Sequence, residues 1–210
     1  MLLFSVNESG NNIKTKKMMR SYTCEDVILS NENTIKGWLC NPEEAGKKPA
    51  VIVLGPQNSK DDKISMRYAT RLANYGYVTL CLEETENIKA AIDYLSFKEE
   101  VDADKMYAVG ICHGTNEVIN RSEEEQRLRA IALVSGCYKK KEASQLKTPT
   151  IIIHGGENES LESAREIYAT IKAEDKMAIW EDSVSRVQYY EDPLVLDKTV
   201  KNVYRWFNTH

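Results

Sequence analysis

Short, nearly all-apolar runs recur along this chain at spacings that leave room for one helix between them, and that rhythm narrows the fold more than any other feature. Ala50-Val51-Ile52-Val53-Leu54 is apolar and mostly β-branched, the composition of a strand covered on both faces. Comparable runs lie at 77–82, 106–111, 130–135, 150–154 and 177–181. Helix-length amphipathic segments alternate with them. Residues 62–75 set Ile64, Tyr68, Leu72 and Tyr75 on one stripe, and 84–97 do the same with Ile88, Ala91, Ile92 and Leu95. Residues 160–173 bury Leu161, Ala164, Ile167, Tyr168 and Ile171, and 193–207 bury Leu196, Val200, Val203 and Phe207. This βαβα order predicts an α/β fold with a mostly parallel central sheet and helices on both faces. Upstream, 26–30 and 34–40 flank Asn31-Glu32-Asn33 and predict an antiparallel hairpin at a sheet edge. Residues 1–21 read as a flexible polar arm, and 22–210 as a single domain.

Composition narrows the partners. A formal charge of −4 gives no basic surface for nucleic acid or an anionic membrane. No apolar run reaches the roughly 18 residues of a transmembrane helix, and the first residues lack the basic start of a secretory signal. Five cysteines, Cys24, Cys40, Cys81, Cys112 and Cys137, are an odd and widely spaced set with no CxxC pair. They argue against a disulfide framework and against a zinc site, so the expectation is reduced thiols in the cytoplasm, with neither metal nor cofactor.

The chemically informative stretch is Val109-Gly110-Ile111-Cys112-His113-Gly114, where a buried strand ends in GxCxG and a helix-compatible segment follows. Glycines on both sides of one residue suit a sharp strand-to-helix turn that has no room for side chains next to the central one. Such a turn lifts Cys112 above the sheet edge and sets a helix N-terminus beneath it, where the dipole favours a thiolate. The backbone N–H of His113 becomes an oxyanion donor.

Ala90-Ala91-Ile92-Asp93-Tyr94-Leu95 and Val101-Asp102-Ala103-Asp104-Lys105, leading into this turn, resemble the dienelactone-hydrolase-like branch of the α/β hydrolases. Gly55-Pro56-Gln57-Asn58-Ser59-Lys60 is similar to the loop that builds that family's oxyanion hole. The segments 129–136, 149–155 and 162–168 resemble the strands and the helix that follow, so the likeness runs over roughly 25–208. It implies an α/β-hydrolase fold with Cys112 as nucleophile and the backbone amides of Gln57 and His113 as oxyanion donors. Pro56 has no N–H to offer.

The resemblance also exposes departures. The family's acid position, in HGxxD, is occupied by Asn158 in His154-Gly155-Gly156-Glu157-Asn158, with Glu157 and Glu159 beside it. The family's histidine position is Arg186, and a guanidinium cannot act as a general base. Of the three histidines, His113 adjoins Cys112 and is expected to point away from it, His154 to be a packed strand-end residue, and His210 to be terminal. Leu80-Cys81-Leu82-Glu83-Glu84 runs almost directly into a helix, the segment after the turn is unusually polar, and 136–149 is too short for a lid domain.

Two classes of function follow. One is an acyl hydrolase acting through Cys112 on a small carboxylic ester or lactone. The other is a degenerate pseudoenzyme that binds a small acyl ligand or a protein, or a thiol-based redox sensor, with Arg186 beside the sulfur.

Overall fold

The computed structural model describes residues 20–30, 34–56, 63–82, 88–156 and 158–210. The predicted arm therefore lies outside the described residues except for Arg20 and Ser21, as does Gln57. In chain order the elements are β1 (Tyr22–Ser30), β2 (Thr34–Pro42), β3 (Lys48–Leu54), α1 (Lys63–Ala73), β4 (Val78–Leu82), α2 (Ile88–Ser96), β5 (Val101–Ile111) and α3 (Gly114–Ser122). They continue with β6 (Leu128–Val134), α4 (Lys140–Ala143), β7 (Thr150–Gly155), α5 (Asn158–Thr170), β8 (Lys176–Glu181), α6 (Gln188–Glu191) and α7 (Pro193–Phe207).

Among the described residues the strands form one eight-stranded sheet in the order β1-β2-β4-β3-β5-β6-β7-β8. β1 and β2 make the predicted antiparallel hairpin, β2 runs antiparallel to β4, and every other pair is parallel. Side-chain alternation along β3 divides the core. Ala50, Ile52 and Leu54 face a layer built by α2, α3, α4 and α5, whereas Val51 and Val53 face α1, α6 and α7. Every residue of β4 is buried, which explains why such strands read as unbroken apolar runs. The strand order reverses between β3 and β5, and the crevice at the carboxyl ends of strands at such a reversal is where α/β sheets hold ligands.

The polar helix after the turn is accommodated because its short side chains satisfy backbone groups locally. Thr115 is fully buried and donates its hydroxyl to the Cys112 carbonyl at 2.6 Å, and Ser122 donates to the Ile119 carbonyl at 3.0 Å. The predicted short connection between β6 and β7 contains α4, which carries Ala143 into the core.

The expectation of five free thiols is overturned at the hairpin. Cys24 and Cys40 form a disulfide, with Cα atoms 4.1 Å apart. The hairpin register sets the two residues directly opposite each other, a proximity that a separation of 16 residues does not announce. Cys81, Cys112 and Cys137 are free. The cytoplasmic expectation, which rested on reduced thiols, loses that support, since disulfides persist mainly in oxidising compartments. Among the described residues no helix is long and apolar enough to cross a membrane.

Candidate active site

β5 ends at Ile111, α3 begins at Gly114, and Cys112 between them has φ 56°. Non-glycine residues rarely enter this left-handed region, and over-determining contacts must hold one there. Those contacts are visible. The Cys112 N–H donates to the Val134 carbonyl of β6 at 3.0 Å, and its own carbonyl accepts from the N–H of Thr115 at 3.3 Å and of Cys137 at 3.4 Å. The two flanking glycines are sterically required. A Cβ on Gly110 would sit 2.6 Å from Thr115 Cα, and one on Gly114 would sit 2.3 Å from the Leu54 carbonyl oxygen at the end of β3. Both obstacles are backbone, so neither can swing aside.

The Cys112 side chain is 5% exposed. Its Sγ lies 3.3 Å from Nδ1 of the exposed His113, which corrects the expectation that these neighbours diverge. Divergence of successive residues applies within a regular helix. Cys112 precedes the first turn of α3 in a left-handed conformation, and that geometry turns its sulfur toward the adjoining ring. The Tyr190 hydroxyl is buried near the same sulfur but makes no hydrogen bond of regular geometry among the described residues. Burial first, and then the neighbouring Cys112 sulfur, push its phenol well above the usual range.

Next to this turn lies an open cleft of about 1080 Å³, lined in part by Asn116, Cys137, Tyr138, His154, Ser160 and Arg186. Cys112 does not itself line it. Arg186, expected at the family's histidine position, donates a hydrogen bond from Nη2 to Sγ of Cys137 rather than to Cys112. Partial desolvation works against its charge, yet the bond to Cys137 and the nearby Cys112, Tyr190 and Cys137 groups hold its pKa above the ordinary value. Asn158 opens α5; its side chain, like Glu157, Glu159 and Gln57, lies outside the described residues.

His154 is packed at the end of β7, with Nδ1 3.4 Å from the Tyr138 hydroxyl and Nε2 3.2 Å from Ser160 Oγ. Burial first, and then the Arg186 charge, push its pKa down to about 4. The ring is therefore neutral at physiological pH. His210 is paired instead with Asp175 at 2.8 Å at the far end of α7. Among the described residues no group of three or more His, Cys, Asp and Glu is placed to hold a metal ion.

Cys137, Tyr138 and Tyr190 were not singled out by the sequence reading. The available signal was positional. Gly136-Cys137-Tyr138 follows β6 after one residue, Ser135, and the carboxyl ends of parallel strands converge on the ligand crevice. Cys137 looked like one more dispersed thiol because its contact with Cys112 is made between neighbouring strand ends.

Residues 82–181 match the dienelactone hydrolase family. YcjY, an uncharacterized protein of Escherichia coli, is 28% identical over 112 residues, covering 44% of this chain and 37% of YcjY. PA2218 of Pseudomonas aeruginosa is 25% identical over 119 residues, covering 47% of this chain and 32% of PA2218. The match thus spans about a third of the length of these curated relatives. In three dimensions the crystal structure of PA2218 superposes with a TM-score of 0.77 at 15% identity, covering 100% of both chains. The dienelactone hydrolase of Anabaena variabilis gives 0.73 at 18% identity, covering 90% of this chain and 98% of that one. Turn geometry, sheet order and these superpositions agree: the chain has the α/β-hydrolase fold, and residues 82–181 within it carry the match to the dienelactone hydrolase family.

Proposed function

We propose that this protein is a slow cysteine-dependent acyl hydrolase acting on a small carboxylic ester or lactone. The observation that carries the reading is the Cys112 sulfur, held at φ 56° in the turn with an imidazole nitrogen 3.3 Å away. In this reading Nδ1 of His113 takes the thiol proton as Sγ attacks the carbonyl carbon. The His113 N–H at the start of α3 has no partner among the described residues, which leaves it available to the oxyanion, with Gln57 as the second donor. The proton passes to the departing alkoxide, the acyl group remains on Cys112 as a thioester, and water releases it. Arg186 contributes a fixed positive charge near the sulfur, and Asn158 offers no carboxylate to steady an imidazolium. A triad that loses its acid falls by about 10⁴-fold in kcat, hence slow.

The test uses p-nitrophenyl acetate and butyrate with the parent, Cys112→Ala and His113→Ala. The parent should show turnover and an acyl adduct on the Cys112 peptide by mass spectrometry. Cys112→Ala should lose both, and His113→Ala should lower kcat by about 10²-fold or more. A parent that forms no adduct while binding short acyl ligands would overturn the hydrolase and favour the pseudoenzyme reading.

A further inference from the structure

We propose that Cys137 is a peroxide-reactive thiol whose oxidation links it to Cys112 in a disulfide, occluding the nucleophile. The inference goes beyond acyl chemistry and needs none of it. Three observations carry it. The first is proximity. The Cys137 N–H donates to the Cys112 carbonyl at 3.4 Å, so covalent geometry holds the two Cα atoms within about 7 Å, close to the span of a disulfide. This contact is created by the ends of β5 and β6 and survives any side-chain motion.

The second is chemistry. Cys137 alone among the free cysteines lines the cleft, and the Arg186 guanidinium donates to its Sγ. A fixed positive charge on a solvent-accessible sulfur is the environment of an oxidisable cysteine. The same guanidinium and the Tyr190 phenol both sense Cys112 and Cys137 together, so the two sulfurs share one small electrostatic neighbourhood. The third is contrast. Cys81 is buried and does not line the cleft, its thiol is pushed far up by burial alone, and Cys24 and Cys40 are already bonded to each other. Of the five cysteines, only Cys137 combines access to the cleft with a neighbouring free thiol.

The steps balance with hydrogen peroxide as oxidant. The Cys137 thiolate attacks one peroxide oxygen, the O–O bond breaks, and hydroxide leaves to take a proton and become water. Sulfur is oxidised to the sulfenic acid. The Cys112 sulfur then attacks Cys137 Sγ, the S–O bond breaks, and the leaving hydroxide takes the Cys112 thiol proton as a second water. Two thiols and one peroxide give one disulfide and two waters. A dithiol reductant reverses it.

The experiment treats the full chain, with its native disulfide intact, with an equimolar amount of hydrogen peroxide. Thiols are then counted after denaturation and the unreduced peptides mapped. The expected result is a fall from three free thiols to one, a peptide joining Cys112 to Cys137, and recovery of both thiols with dithiothreitol. In Cys112→Ser, Cys137 should instead accumulate as a sulfenic acid that dimedone labels. In Arg186→Met, oxidation should slow by about tenfold, the effect of losing one charge-assisted hydrogen bond. Three thiols surviving the peroxide, a linkage that contains Cys81, or Cys137 driven to the sulfinic acid without joining Cys112 would each overturn the proposal. Because the readout is a linkage rather than turnover, it stands or falls apart from the hydrolase reading.

Discussion

Cys112 is held in a backbone conformation that costs on the order of 1–3 kcal/mol, and the surrounding contacts explain why it persists. Its amide and carbonyl are tied to β6, α3 and the Cys137 amide, while Gly110 and Gly114 leave space that any Cβ would fill. At the neighbouring strand end, His154 supplies the clearest pH signature. Its folded pKa lies near 4 against an ordinary 6.5, so the unfolded chain binds its proton first as pH falls. The stability this neutral ring contributes is complete above about pH 6.5 and is lost progressively toward pH 4. By pH 5 the loss should reach about 2 kcal/mol. Urea denaturation at pH 7.5 and pH 5.0 checks this. The parent should lose about 2 kcal/mol more between those pH values than His154→Asn, and equal losses would show that His154 is not the titrating group.

At the scale of elements, α7 shows how a terminus is set by local chemistry. The Asp192 side chain accepts from the amides of Leu194 and Val195 at 2.9 and 3.4 Å, and Pro193 occupies the first turn, where no intrahelical donor is needed. Asp192→Ala should therefore lower unfolding free energy by about 1 kcal/mol, read as a shift in urea midpoint with an unchanged slope. Elements governed by their own sequence in this way were legible. The predicted range 193–207 coincides with α7, and the runs at 150–154 and 177–181 fall within β7 and β8. Elements whose signal is interrupted were not. β5 begins at Val101, five residues before its apolar run, because Ala103, Asp104 and Lys105 are exposed and conceal the strand. α4 and α6 are single turns of four residues, too short to carry a periodic signal.

Across the whole molecule, the disulfide and the candidate site lie well apart in one sheet. β1 and β2 occupy one edge, and β4 and β3 separate them from β5. Reducing Cys24–Cys40 should therefore lower global stability and leave the turn at Cys112 intact. The loop it closes, with a sequence separation of 16, corresponds to a contribution of up to about 3 kcal/mol, less whatever the hairpin hydrogen bonds already impose on the unfolded chain. Thermal unfolding of a Cys24→Ser, Cys40→Ser variant should show a lower Tm, with acyl-adduct formation at Cys112 equal to that of the parent. A site that failed together with the hairpin would mean that the two are mechanically coupled through the sheet.

By itself the sequence determined the alternation of strands and helices, the hairpin and the need for glycine on both sides of Cys112. Each of these is encoded over a few residues by side-chain size, branching and polarity. Only the tertiary structure decided which groups meet. Cys24 faces Cys40 through hairpin register, Arg186 reaches Cys137 instead of Cys112, and Cys137 lies beside Cys112 through the pairing of β5 with β6. Even the approach of His113 to the adjoining sulfur required a backbone angle imposed by packing against β3 and β6. Such contacts depend on strand order and on where each chain segment leaves the sheet, and neither is written in local spacing.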